Sequence, residues 1–201
     1  MRKIYLFRHG LPEFPGGVHV CLGLTPDFPL SEEGYASAAA WSEFLRERNV
    51  TCVCTSPLLR CRQTAEALSG AVLPILVENE LHEMSYGVWE GMRFEDICAQ
   101  YADLYAQRKN DMTLSPLGGE DVAVAGERGI AALRSLLERT QGDIAVAAHA
   151  GLNRALLWRL SGLPTSEIGR FHQDYVHLNV VEADGEILSV KAVNQNIEKF
   201  T

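Results

Sequence analysis

Lys3-Ile4-Tyr5-Leu6-Phe7-Arg8-His9-Gly10 is a short apolar, partly β-branched run that ends abruptly in a cation, an imidazole and a glycine. It reads as a buried strand over 3–7 that delivers Arg8-His9-Gly10 to a loop at its carboxyl end. Two later stretches repeat the arrangement. Val50–Thr55 (VTCVCT) runs into Ser56-Pro57-Leu58-Leu59-Arg60-Cys61-Arg62, and Ile144–Ala148 (IAVAA) ends at His149-Ala150-Gly151. Between and after them the spacing predicts helices. One opens at Ser31 with Tyr35, Ala38, Trp41 and Leu45 on one face; others cover 59–68, 94–105, 120–140 and 152–160. Ile75–Val77 reads as a third strand, and 178–182 and 186–193 flank an Asp184-Gly185 turn as a hairpin. Strands alternating with helices predict a three-layer α/β fold, with a mainly parallel sheet and helices on both faces.

The 201 residues suit one domain over 1–201, with the segment near 94–119 expected as a small lid inserted into the body. Apolar residues make up 47% and charged residues 22%, which excludes wholesale disorder. No apolar run approaches the ~18 residues of a membrane span, and the apolar stretch at the start stops at Arg8, too early for a signal peptide. The expected location is the cytoplasm, with no membrane partner. The five cysteines show neither CxxC nor zinc spacing and read as reduced thiols. At a net charge of −8 the chain lacks the basic stripe of a nucleic-acid binder. Its basic residues are 14 Arg against 4 Lys, and the guanidinium fork suits phosphate and carboxylate. An anion would have to be held in a local basic pocket against an unfavourable global field.

In an open α/β sheet, ligands bind beyond the carboxyl ends of the strands. There the predicted sheet gathers Arg8, His9, an arginine of the 60–62 segment and His149, with Glu83 in the loop after the third strand. Paired arginines make a doubly charged anion site. A neutral histidine can attack phosphorus, and a carboxylic acid can protonate a leaving oxygen. This set fits phosphoryl transfer with guanidinium groups in place of a metal clamp, so neither metal nor cofactor is expected. No GxxxxGK[ST], GxSxG or HExxH motif is present.

The ordered motifs resemble the histidine phosphatase superfamily, in the branch of cofactor-dependent phosphoglycerate mutases and small phosphatases. Arg8-His9-Gly10 is followed by Asp27-Phe28-Pro29-Leu30-Ser31-Glu32-Glu33-Gly34, then Ser56–Ala65 (SPLLRCRQTA), Leu81-His82-Glu83, Gly87-Val88-Trp89-Glu90-Gly91, Gly118-Gly119-Glu120, and His149-Ala150-Gly151 with Arg154. The resemblance implies a phosphoglycerate mutase-like fold. It implies His9 as the phosphorylated nucleophile, Arg8 and Arg60 as ligands of the transferring phosphoryl group, His149 as a donor to its oxygens, and Glu83 as proton donor and then base. Arg62 does not match the family position but lies at the same helix start; Glu120 is a second substrate-side candidate. Two departures stand out. Pro12 and Pro15 occupy positions where many relatives carry a hydroxyl and an amide, and Ala148 precedes His149 where serine is common.

The expected activity is metal-independent hydrolysis of a small phosphorylated metabolite through phospho-His9. Size and layout resemble the small phosphatases, such as those acting on α-ribazole-5′-phosphate. The alternatives are a phosphoglycerate mutase and a non-catalytic phosphate-binding module; monomer and homodimer both stay open. His19, His82, His172 and His177 are expected in structural or solvent-facing places, Cys52 and Cys54 as packing thiols, and the aromatic stripe of 94–105 as core.

Overall fold

The computed structural model describes residues 1–200. Six strands form one sheet: β1 (Arg2–Arg8), β2 (Val50–Thr55), β3 (Ile75–Val77), β4 (Asp143–Ala148), β5 (Leu178–Asp184) and β6 (Ile187–Gln195). Their spatial order is β3-β2-β4-β1-β5-β6. The first four are parallel; β5 and β6 join antiparallel as the hairpin expected around Asp184-Gly185.

Period-2 alternation sends successive side chains to opposite faces. Ile4, Leu6, Ile144 and Val146 enter one core with Leu133, Leu136, Leu152 and Leu156 of α6 (Val122–Arg139) and α7 (Ala150–Ser161). Tyr5, Phe7, Ala145 and Ala147 enter the other, with Ala38, Leu45 and Leu68 of α1 (Glu32–Ala39), α2 (Ser42–Arg46) and α3 (Leu59–Ser69), and Trp41 from the bend between α1 and α2. The sheet is thus covered on both faces, as alternation of elements predicts.

Local chemistry sets the helix ends. The Ser31 hydroxyl accepts from Gly34 N at 3.0 Å, and the Asp121 carboxylate accepts from Ala123 N at 2.7 Å and Val124 N at 3.2 Å. Each is an N-cap that satisfies a backbone donor the helix leaves open. Gly126, a helix interior residue with an intrinsic cost, has a packing reason. A Cβ there would stand 2.5 Å from Arg159 Cγ and 2.8 Å from Ala155 O, so α6 and α7 approach closely only with glycine.

Two expected helices are broken. The one from Ser31 bends at Ala40-Trp41, where Trp41 N bonds to Ala38 O and tightens the turn. The bend seats Trp41 in the core, 5.1 Å from both the Phe7 and the Phe44 ring centroids. The stretch 94–105 divides at Tyr101 (φ −128°, ψ 38°) into α4 (Phe94–Gln100) and α5 (Ala102–Arg108). It packs a separate small cluster of Cys21, Trp89 and Ile97, not the sheet.

Candidate active site

Strand register places the site. β1 pairs with β4 so that Arg8 stands opposite Ala148, and His9 N donates to Ala148 O at 2.9 Å. The next residues, His9 and His149, therefore emerge side by side, their ring centroids 5.3 Å apart. β2 pairs with β4 so that Ser56 follows at the same level; Ser56 Oγ lies 2.7 Å from His149 Nε2. Both histidines are buried, at 3% and 0% exposure.

His9 Nδ1 lies 2.8 Å from the carbonyl oxygen of Gly10. A carbonyl only accepts, so Nδ1 carries the proton and Nε2 keeps its lone pair. Burial pushes the His9 pKa well below the usual histidine value, and the Arg8 and Arg60 charges push it further. His149 is lowered in the same direction, by burial first and then Arg60 and His9. Both rings are neutral around pH 7.

The arginines are held by different devices. Arg8 lies 3.6 Å over the Tyr175 ring and donates through Nη1 to Gln173 O at 2.8 Å. Arg60 is fully buried at the start of α3, donating to Asp27 Oδ1 at 2.9 Å and to Gly23 O at 2.8 Å. The Nε atoms of Arg8, Arg60 and Arg154 are buried without a hydrogen-bond partner. A buried donor left unmade costs about 1–3 kcal/mol, so three such donors in one region suit an acceptor-rich anion.

Glu83, 3% exposed, accepts from Met84 N at 2.8 Å and from the first amides of α7, Leu152 N at 2.9 Å and Gly151 N at 3.1 Å. A Cβ on Gly151 would meet Tyr86 Oη at 2.5 Å and Glu83 Oε1 at 2.7 Å, so this glycine admits both side chains to the helix end. Glu90 of the Gly87–Gly91 motif joins two loops, accepting from Thr25 N and Tyr86 N. Burial raises its pKa, but these amide bonds outweigh burial and lower it.

A cavity of about 400 Å³ opens at this edge, with Arg8, His9 and Glu83 in its wall. Arg60 and His149 lie behind the wall, close enough to depress the His9 pKa or pack on its ring. Two candidates are not brought in. Arg62 is exposed on the outer side of α3, and Glu120 is paired with Arg128 Nη2 at 2.9 Å. Three further features shape the cavity. His19, expected to be structural or solvent-facing, is exposed but lines the cavity and stacks on Phe14 at 4.3 Å. Phe94 and Tyr105 wall the cavity because their helices fold over it. At the entrance-loop departure, Pro12 bridges Leu30 and Pro15 opens a short 3₁₀ turn, leaving Phe14 between them as an apolar wall.

Sequence reasoning missed Tyr86, Arg108, Lys109 and Tyr175, and quoted Arg154 without a role; all line the cavity. Arg154 sits one helical turn into α7 after His149, a spacing that could have flagged it. The others arrive from distant loops and carry no local signal. Cys21 also lines the cavity; burial pushes its thiol up to about 12, so it contributes an apolar surface.

A family model described as the histidine phosphatase superfamily (branch 1) matches residues 4–196. A glucosyl-3-phosphoglycerate phosphatase of Mycolicibacterium vanbaalenii is 28% identical over 173 residues, covering 82% of this chain and 76% of its own. The adenosylcobalamin/α-ribazole phosphatase of Escherichia coli is 26% identical over 195 residues, covering 96% and 95%. Against a bifunctional protein of Mycobacterium tuberculosis, 28% identical over 200 residues, the chain spans 54% of that protein's length. Among solved structures, a mycobacterial hydrolase superposes with a TM-score of 0.86 at 25% identity, covering 97% of this chain and 99% of its own. Among the described residues no helix is long and apolar enough to cross a membrane.

Proposed function

The chain belongs to the histidine phosphatase superfamily, and from that premise we propose that it hydrolyses small phosphate monoesters through a phosphohistidine on His9. Relatives named as phosphatases of glucosyl-3-phosphoglycerate and α-ribazole support a small organic leaving group. His9 carries the proposal: a buried, neutral ring with its proton committed to Gly10 O and its other nitrogen free, among arginines.

In the first step His9 Nε2 donates its lone pair to phosphorus as the bond to the ester oxygen breaks. Protonated Glu83 gives its proton to the departing oxygen, so the alcohol leaves neutral and Glu83 becomes a carboxylate. Arg8 and Arg60 offset the charge on the phosphoryl oxygens, and His149 supports that end of the site. In the second step water attacks phosphorus, Glu83 takes a water proton, and the electron pair of the P–N bond returns to Nε2. Phosphate leaves, and both groups are restored.

The test is covalent trapping. Enzyme mixed with a ³²P-labelled aryl phosphate and quenched in alkaline detergent should carry label that survives base and is lost in acid, as a phosphoramidate does. His9→Ala should carry no label and turn over at least about 10³-fold more slowly. Undiminished hydrolysis by His9→Ala would overturn the assignment.

A further inference from the structure

The cavity carries more positive charge than a phosphate monoester needs. Arg8, Arg108, Lys109 and Arg154 all line it, and Glu83 is the one carboxylate in its wall among the described residues. The Arg154 side chain makes no hydrogen bond or ion pair with any described residue, and its Nε is buried without a partner. It lies close enough to Arg8 and to Arg108 for its charge to act on both. Burial lowers the pKa of both Arg8 and Arg108, and the Arg154 charge lowers each further. Like charges are therefore held together here, opposed by Glu83 in the wall and by Asp111 near Arg108. A dianionic phosphoryl group would offset two of the four cations, and Asp111 near Arg108 a third. One cation is left over whenever Glu83 carries the proton that the leaving oxygen needs.

Much of the remaining wall is apolar and aromatic. Phe14, Trp89, Phe94, Ile97 and Met112 face the same space. That space is far larger than a phosphoryl group fills. We propose that the alcohol leaving group has a flat apolar body and a second anionic group, a carboxylate, which Arg154 binds with Arg108 and Lys109. A carboxylate matches the left-over charge more closely than a second phosphate dianion would, and the guanidinium fork suits it bidentately. This specificity rests on the phosphatase reading above, but its test separates the two.

The probes are 3- and 4-carboxyphenyl phosphate, each against its neutral carbamoylphenyl isostere, with phenyl phosphate as reference. The carbamoyl group withdraws electrons more strongly, so intrinsic leaving ability runs against the expected preference. At low ionic strength, kcat/KM for at least one carboxyl ester should exceed that of its isostere by about tenfold or more, and the ratio should shrink with added salt. Arg154→Gln should bring the ratio to about twofold or less, while Arg154→Lys keeps part of it. Lys109→Gln, at an exposed position, gives a second and smaller reduction should Arg154→Gln fail to fold. Carboxyl and carbamoyl esters hydrolysed equally well by the wild-type enzyme would overturn the second anion site and leave the phosphatase standing. No hydrolysis of phenyl phosphate or any other probe would overturn both.

Discussion

Asp27 holds Arg60 in place: its Oδ1 accepts from Arg60 Nη1 at 2.9 Å, while its Oδ2 accepts from Leu59 N at 2.5 Å, tying the guanidinium to the first turn of α3. The two residues stand 33 apart in sequence, and Arg60 is fully buried. Without Asp27, a buried guanidinium loses its only ion-pair partner among the described residues. Asp27→Asn keeps the shape and removes the charge. It should lower kcat/KM about 10- to 100-fold through a misplaced Arg60. It should also cost about 2 kcal/mol of stability. Steady-state kinetics and urea denaturation check both; unchanged kcat/KM would remove Arg60 from the phosphoryl site.

Acid should weaken the fold through the buried histidines. In the unfolded chain each titrates near the ordinary value of about 6.5. In the folded protein burial, then neighbouring cations, hold both His9 and His149 well below it. Between the two values the unfolded state binds the protons, so stability is fully present above about pH 6.5 and falls as pH drops toward the folded values. Each histidine contributes a slope of up to about 1.4 kcal/mol per pH unit. Denaturation midpoints at pH 7.5 and 5.5 should differ less in His149→Gln than in wild type. An equal drop would mean that the imidazole is protonated in the fold.

Glu83 should matter in proportion to how badly the leaving group needs a proton. Glu83→Gln should slow hydrolysis of an alkyl phosphate by about 10²- to 10⁴-fold. It should slow 4-nitrophenyl phosphate much less, because nitrophenolate leaves unprotonated. The same loss with both esters would show that the carboxylate acts only as an anchor for the Gly151 and Leu152 amides.

Phospho-His9 should partition to water. Enzyme labelled from ³²P-bisphosphoglycerate, freed of excess and given 3-phosphoglycerate, should release label as free phosphate. Label appearing mainly in 2-phosphoglycerate would make the enzyme a mutase. Hydrolysis should also persist in EDTA, because Arg8 and Arg60 supply the positive charge a metal would otherwise bring.

The sheet and its reactive edge were legible because both depend on short-range pattern. Apolar runs of strand length ending in Arg8-His9, Ser56 and His149 identify strands and place those residues at one edge, whatever the helices do between them. Breaks at Trp41 and Tyr101 were not legible, since neither carries glycine or proline and each bend answers to packing from elsewhere. The cavity wall was hidden for the same reason. Tyr175 reaches Arg8 across 167 positions of chain, and no spacing rule connects them. The proline pair at 12 and 15 was visible as a departure, but the Phe14–His19 stack that it frames depends on the loop's path.

The Cys21–Trp89–Ile97 cluster gives the molecule two tempos. His9 and His149 directly follow strands fixed by the two large cores, whereas α4 and α5 lean on a small cluster of Ile97 with Cys21 and Trp89 from loops outside them. Amide exchange should open the 94–108 segment at far lower free energy than β1 or β4, without loosening the reacting groups. A lineage could therefore rewrite which alcohol it accepts by exchanging side chains on those two helices, and inherit the phosphorus chemistry untouched.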